Sequence, residues 1–232
     1  CGPSTEMFYW TGEENAPETF DPENEKWVEI WNDVFIMYNK KEDGTLEPLK
    51  QKNVDTGMGL ERTLAVLSGK KSAYETDLFT PIIEKIEKVS GKKYEQHTKE
   101  MRIIADHIRA ATFILGDDNK IVPSNVDRGY ILRRLIRRTI RYGKMIGFTT
   151  SFVNLAKIVI TIYSKMYPEL QTHEEFILKE IVKEEEKFKI TLEKGIREFA
   201  KMSQNKSING KDAFLLFQSY GFPLEMTEEM AD

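Results

Sequence analysis

The chain has 232 residues, of which 40% are hydrophobic and 31% charged, and its formal net charge is −4. This composition is typical of an ordinary globular chain and excludes broad disorder. No run approaches the roughly 18 to 20 apolar residues that span a bilayer, which excludes an integral membrane protein. A single cysteine, Cys1, excludes a disulfide framework or a thiolate metal cluster.

The charge is distributed unevenly along the chain. Residues 120–145 hold eight Lys and Arg residues against one Asp, a local net charge of +7, so the rest of the chain carries −11. A dense basic segment in an acidic chain predicts a localised site for a polyanion rather than general basicity.

The two ends predict that the sequence is part of a longer protein. It begins at Cys1 without an initiator Met. Near the other end, Thr227 followed by two glutamates is typical of the cap and first turn of a helix. A helix that starts there would continue past residue 232, so we expect further chain on both sides.

The first third of the chain predicts antiparallel β-structure. Residues 27–38 carry apolar side chains in both alternating sets, which predicts a strand buried on both faces. The Asn32 amide within it would need hydrogen-bond partners. Asp43-Gly44 predicts a hairpin turn, after which residues 46–49 pair back.

The chain reads as helical from about residue 76 almost to its end. Pro81 is expected in the first turn of a helix, and Thr172 with Glu175 predicts a capping box at the start of a long helix. The length allows one large domain or two small ones, and we place two domains at residues 1–89 and 90–232.

The segment Val54–Arg62 predicts a short strand, a turn made by Gly57 and Gly59, and the start of a helix. Two glycines one residue apart let a ligand approach the backbone, and a helix N-terminus offers free amide groups. Asp55 can bind a cationic group, and the guanidinium of Arg62 can hold phosphate. Together they fit an amino acid joined to a nucleotide. The alternative is a tight strand-to-helix turn without a ligand.

A helix over residues 131–141 has two distinct faces. Placing each residue about 100° from the last puts the arginines on one side and the apolar residues on the other. The arginines are Arg133, Arg134, Arg137, Arg138 and Arg141. Since few acids lie nearby in sequence, this face predicts salt-dependent contacts with the phosphates of a duplex or stem nucleic acid. The alternative is a solvated face paired with acids from elsewhere in the chain. A membrane surface is disfavoured because the apolar face lacks Trp and Phe.

Several different short motifs occur along the whole chain. They are Cys1-Gly2-Pro3, Glu29-Ile30-Trp31-Asn32, Val54 through Arg62, Tyr74 through Phe79, Ala105-Asp106-His107-Ile108-Arg109, Pro123-Ser124-Asn125, Arg128-Gly129-Tyr130 and Tyr220-Gly221-Phe222-Pro223. Together they resemble the alanyl-tRNA synthetases, a family of class II aminoacyl-tRNA synthetases, and Gly57 to Arg62 is similar to class II motif 3. The resemblance implies an α+β fold, in which part of the class II antiparallel sheet with its motif 3 helix precedes an all-α domain.

The resemblance also implies an ATP-dependent ligase that activates alanine and transfers it to the 3′ end of tRNA in the cytoplasm. Asp55 would bind the α-amino group of alanine, with Asn32, Val34 and Gly57 lining a small pocket. The ATP-binding residues would be Gly57, Gly59 and Arg62. Asp55 and Arg62 would act by positioning and charge, with Mg²⁺. Neither zinc nor a protein metal site is expected, and His97, His107 and His173 are interpreted as ordinary histidines.

The same resemblance assigns the helical domain to the tRNA acceptor stem. Asn125 would approach the G·U wobble pair, and the nearby basic residues would hold phosphates. Those basic residues are Arg128, Arg133, Arg134, Arg137, Arg138 and Arg141. The family commonly has Asp where this chain has Gln218, so that contact with the wobble pair is altered.

The family's motifs 1 and 2 and its editing domain would lie outside these 232 residues. We therefore expect the chain on its own not to activate alanine. The alternatives are an RNA-binding helical module on a vestigial synthetase scaffold and a protein-interaction fragment that uses the acidic helices.

Overall fold

The protein is described by a computed structural model that covers residues 1–205 and 207–231. It divides into two compact units, Cys1–Thr80 (unit 1) and Pro81–Asp232 (unit 2). The α+β fold class is confirmed, because an antiparallel sheet lies in unit 1 and a set of helices in unit 2. The division into domains at residues 89 and 90 stays a prediction.

Unit 1 is built on an antiparallel sheet with the strand order β1 (Ser4–Trp10), β2 (Trp27–Lys40) and β3 (Leu46–Met58). The predicted hairpin between β2 and β3 is confirmed. The Lys41 amide donates to the Thr45 carbonyl at 3.0 Å, and the Asp43 carboxylate accepts from the Thr45 amide at 2.9 Å. Gly44 has a φ of 85°, a left-handed conformation that favours glycine.

The prediction that β2 is buried on both faces is wrong. No side chain of the three strands is fully buried, and Phe35 and Val54 remain 38% and 55% exposed. In the described part of unit 1, three strands and the short helix α1 (Leu60–Leu67) are too little material to cover both faces of a sheet.

A β-bulge interrupts the alternation of β2. The cross-strand pairs beside it are Met7 with Trp31 and Phe8 with Glu29, so the pairing skips Ile30. Residues that lie opposite each other in a sheet share a face. The skipped residue therefore brings Glu29 to the same face as Asn32, whereas strict alternation would place it on the other.

Helix α1 begins directly after β3. Gly57 lies within the strand, and Gly59 precedes the helix with a φ of −71°. The prediction that both glycines turn the chain is wrong, because the strand pairing continues through Gly57 to Met58. The Gly59 amide donates to the Ile30 carbonyl at 3.0 Å, which fixes the start of α1 against the bulge of β2.

Helices joined by loops make up the rest of the described chain. They are α2 (Thr80–Ser90), α3 (Thr98–Gly116), α4 (Asp127–Met145), α5 (Val153–Tyr163), α6 (Pro168–Thr172), α7 (Glu174–Met202), α8 (Gly210–Tyr220) and α9 (Leu224–Ala231), with short 3₁₀ turns at Ala73–Glu75, Tyr94–Gln96 and Ser203–Asn205. Pro81 lies in the first turn of α2, as predicted. The core of unit 2 includes Ile104 and Ile108 of α3 and Leu132 and Ile136 of α4, which are almost completely buried. No helix in the described part of the chain has both the length and the apolar character needed to cross a bilayer.

Two predicted helix caps are wrong. Thr172 belongs to α6 and donates to the Pro168 carbonyl at 3.1 Å, while α7 begins after His173. Thr227 lies inside α9 and is 2% exposed, because this face of the helix packs into unit 2. A local capping pattern is weak by itself: packing overrides it at Thr227, and at Thr172 the residue ends the preceding helix instead of starting the next.

Candidate functional site

The predicted ligand residues of unit 1 lie on neighbouring strands. In the register of β2 and β3, Asn32 is opposite Gly57 and Val34 is opposite Asp55. Since side chains two residues apart on a strand share a face, all four positions lie on one face of the sheet. The structure thus brings together residues that are 21 to 25 positions apart in sequence.

The face beside Gly57 is open. A Cβ atom added at Gly57 would meet no heavy atom within 4 Å, and its φ is not left-handed. Neither backbone conformation nor packing therefore requires glycine here. The exposed carboxylate of Asp55 lies on the same strand, two residues before this gap. An acid next to open space suits a small cationic group.

The guanidinium of Arg62 is held at Glu29, on the strand next to that gap. Its Nη1 donates to the Glu29 carbonyl at 3.0 Å and lies 3.6 Å from the Glu29 carboxylate. The bulge in β2 brings Glu29 to the face of Asn32. Glu29 is therefore a further candidate residue for this site, which strict alternation alone did not find. An arginine held beside a carboxylate on this face can bind phosphate and an accompanying cation.

The described residues contain no group of three or more His, Cys, Asp or Glu side chains that could hold a metal ion. Mg²⁺ bound together with a nucleotide needs one or two protein carboxylates, because phosphates and water supply the other ligands. Glu29 beside Arg62 fits that smaller requirement.

The arginine face of α4 is not the open surface that the sequence predicted. Each of the five arginines has an acidic side chain within 4 Å, and the acids come from α7 and α9. The pairs are Arg133 and Arg137 with Glu184, Arg134 with Glu225, and Arg138 and Arg141 with Glu229. The expectation that few acids neutralise this face is wrong, because the partners are 47 to 91 residues away in sequence.

The alternative interpretation, a solvated face paired with acids from elsewhere in the chain, is confirmed in its pairing, but the Arg137 pair is buried and not solvated. Arg137 is 8% exposed and Glu184 is 2% exposed, with 2.7 Å between Nη2 and the carboxylate. Arg137 also donates to the Gly221 carbonyl, and its guanidinium carbon lies 4.9 Å from the centre of the Phe188 ring. Burial lowers the pKa of Arg137 and the Glu184 carboxylate counteracts this. This buried pair is a packing element of unit 2.

The two carboxylates of α9 hold the outer arginines. Glu225 accepts from Arg134 at 2.5 Å, and Glu229 accepts from Arg138 and, at 2.7 Å, from Arg141. Burial alone would raise the pKa of both carboxyl groups, but hydrogen bonds and the positive charges outweigh it, and both pKa values lie below the ordinary value. These contacts fasten α9 to α4.

His107 extends this network. Its Nδ1 lies 3.0 Å from the Asp106 carboxylate and its Nε2 lies 3.0 Å from Nη1 of Arg138. Because a guanidinium can only donate, Nε2 accepts and Nδ1 carries the proton toward Asp106. His107 is thus placed between Asp106 and Arg138, where it can orient both side chains.

The attachment of α9 is expected to weaken in acid. A carboxyl group whose pKa is lowered by folding stabilises the native state above its unfolded pKa, about 4.5 for Glu229, and loses this effect as the pH falls through the folded pKa. We expect Glu229→Gln to flatten the fall in unfolding free energy below pH 4.5. Denaturant titrations at several pH values measure this. Glu228→Gln, on the exposed side of α9, is the control; equal slopes for the two variants would contradict the prediction.

Asn125 lies beside a groove at the start of α4. The groove has a volume of about 570 Å³, and its walls include the exposed rings of Phe214 and Phe217 on α8. The Asn125 carboxamide oxygen accepts from Arg133. Gln218 follows Phe217 on α8 and is exposed, as is Arg128 on α4. Three predicted RNA contacts are therefore accessible. The apolar groove was missed, because Phe214 and Phe217 look like core residues in an amphipathic helix.

The sequence also did not predict the acidic partners of the α4 arginines, although the position of Glu184 in the sequence indicates one of them. Glu184 occupies a position in the apolar stripe of α7 that contains Ile177, Ile181, Phe188 and Leu192, all buried. An acid at such a position needs a buried cationic partner, and the basic segment is its natural source.

Comparison with known proteins gives one consistent result. The family model described as tRNA synthetases class II (A) matches residues 1–232. An alanine–tRNA ligase of Treponema pallidum (strain Nichols) is 48% identical over 100% of this chain and 40% of its own length. The corresponding enzymes of Borreliella afzelii (strain PKo) and Pediococcus pentosaceus (strain ATCC 25745 / CCUG 21536 / LMG 10740 / 183-1w) are 50% and 44% identical over 100% and 99% of this chain. The chain spans 40% and 28% of the length of these last two relatives.

Proposed function

The chain belongs to the class II (A) tRNA synthetases, and from this premise we propose that it is the part of an alanine–tRNA ligase that binds alanine, ATP and the tRNA acceptor stem. Unit 1 contributes the sites for the two small substrates, and unit 2 contributes the RNA contacts. The ligase names of its relatives support this function. We place the protein in the cytoplasm, because a tRNA ligase serves protein synthesis there.

The strand register carries the proposal. It places the carboxylate of Asp55 opposite Val34 and the open position at Gly57 opposite Asn32. In this proposal, Asp55 binds the α-ammonium group of alanine, while Asn32 and Val34 line the pocket for its methyl side chain.

Arg62 serves the ATP end of the site. Its guanidinium binds phosphate oxygens, and Glu29 beside it takes part in holding the Mg²⁺ that accompanies ATP. The carboxylate oxygen of alanine attacks the α-phosphorus of ATP, and pyrophosphate leaves. The hydroxyl group at the 3′ end of the tRNA then attacks the alanyl carbonyl carbon, and AMP leaves. The side chains act by holding reactants and stabilising charge.

In unit 2 the accessible residues are proposed to contact the acceptor stem. Asn125 and Gln218 offer amide groups to base edges, and Arg128 offers a guanidinium to phosphate. The guanidiniums of three other arginines are largely buried against acids, and we propose that they support this surface from the interior of unit 2. These are Arg133, Arg137 and Arg141. Arg134 and Arg138 retain more exposure, 30% and 26% of their side chains, and can add phosphate contacts at the edge.

Alanine-dependent exchange of pyrophosphate into ATP by the full-length protein tests the proposal, followed by alanylation of tRNA. We expect exchange with alanine, salt-sensitive charging of tRNA, and no exchange by the 232-residue chain alone. Absence of exchange with retained acceptor-stem binding would instead favour a non-catalytic RNA-binding module. Absence of both would favour a protein-interaction fragment.

A further inference from the structure

Glu6 of β1 contacts Asn32, a residue of the proposed alanine pocket. It lies directly opposite Asn32 in the pairing of β1 with β2, and Asn32 in turn lies opposite Gly57 of β3. Glu6, Asn32 and Gly57 therefore form one row across the sheet on one face. The Asn32 amide nitrogen donates to the Glu6 carboxylate at 3.3 Å.

Glu6 also faces open space. It lines a pocket of about 600 Å³ together with Phe8 and Trp27. The Glu6 carboxylate therefore lies beside a pocket that a substrate can enter, and it accepts a hydrogen bond from the Asn32 side chain.

The chemistry of a carboxamide makes its orientation important. Its oxygen accepts hydrogen bonds and its nitrogen donates them, and a rotation by 180° exchanges the two. An ionised carboxylate accepts hydrogen bonds but cannot donate them. A carboxylate beside Asn32 therefore selects the orientation with the nitrogen toward β1, which leaves the oxygen on the opposite side of the amide.

We propose that Glu6 is a positioning residue that orients the Asn32 carboxamide so that its oxygen accepts from the α-ammonium group of alanine. This inference rests on the proposed function of the pocket. Asp55 supplies the charge for the ammonium group, and the oriented Asn32 oxygen supplies a second acceptor. Without Glu6, Asn32 can turn its donor nitrogen toward the ammonium group, which would repel it.

The test compares three variants of the full-length protein in alanine-dependent pyrophosphate exchange. Glu6→Leu removes the acceptor, and we expect the KM for alanine to rise about tenfold, the size of one hydrogen bond to a charged group, with the KM for ATP unchanged. Glu6→Gln keeps a carbonyl acceptor but adds a donor that can pair with the other orientation of Asn32, and we expect a KM between those of the wild type and Glu6→Leu, about threefold above the wild type. Glu47→Leu is the matched control, because Glu47 also lies opposite an asparagine, Asn39, at the far end of the same sheet.

A double-mutant cycle separates positioning from a general effect on the sheet. In an Asn32→Ala background, Glu6→Leu is expected to change the KM for alanine less than twofold, because the group through which it acts is gone. An equal rise in both backgrounds, an equal rise for Glu47→Leu, or an unchanged KM in Glu6→Leu would overturn the assignment of Glu6. A wild-type protein without alanine-dependent exchange would overturn the proposed function itself and this inference with it.

Discussion

Replacing Glu184 by glutamine is expected to lower the unfolding free energy of unit 2 by about 3 to 5 kcal/mol, the cost of leaving a buried charge without its partner. Glu184 is 2% exposed and its carboxylate lies 2.7 Å from Arg137 and 3.3 Å from Arg133. Glutamine keeps the shape but removes the charge. Since Arg137 is 8% exposed, water cannot replace the lost carboxylate.

Far-UV circular dichroism during denaturation of the 232-residue chain measures the effect, because most of the helices lie in unit 2. The three tryptophans, at positions 10, 27 and 31, lie in unit 1, so their fluorescence reports on that unit. Glu186→Gln is the control, since Glu186 is exposed on the same helix. A loss of less than about 1 kcal/mol, typical of an exposed ion pair, would show that the Glu184 pair does not stabilise unit 2.

The largest effect on activity is expected for Asp55→Asn in the full-length protein. We expect kcat/KM for alanine in pyrophosphate exchange to fall about 100- to 1,000-fold, which corresponds to about 3 to 4 kcal/mol of lost interaction with the ammonium group. Asparagine has the same shape, so the register with Val34 is kept. The loss should appear mainly as a higher KM for alanine, with the KM for ATP unchanged.

Asp33→Asn provides the matched control for Asp55. Asp33 precedes Val34 on β2 and pairs with Thr56, so its side chain projects from the other face of the sheet. We expect its kinetics to match those of the wild type. If Asp55→Asn retained a normal KM for alanine, Asp55 would not be the ammonium ligand and the pocket would have to lie elsewhere.

The sequence predicted the features of unit 1 that depend on neighbours in the chain. The Asp43-Gly44 turn forms the expected hairpin, and β3 pairs back onto β2. It did not predict the bulge at Ile30, because a bulge is set by which strand pairs alongside, and β1 is 17 residues distant at its nearest end. The position of Glu29 on the site face therefore required the structure.

The arginine helix shows the same limit for electrostatics. Helical periodicity correctly predicted that α4 has an apolar face, since Leu132 and Ile136 are buried. It could not predict whether the other face is neutralised, because charge was counted along the chain while Coulomb energy depends on distance in space. Glu184, Glu225 and Glu229 are distant in sequence and adjacent in the fold.

The distance in sequence between α4 and the glutamates of α9 has a consequence for folding during translation. Arg134 and Arg138 are each 91 residues ahead of the glutamate that holds them. At a synthesis rate of about 5 to 20 residues per second, roughly 5 to 20 seconds pass before that glutamate has been made. During this interval three of the five arginines of α4 have not yet met the acids that pair with them in the fold. Synthesis of α9 therefore completes the neutralisation of α4, and variants that lack Glu225 and Glu229 would leave these three arginines without their acidic partners.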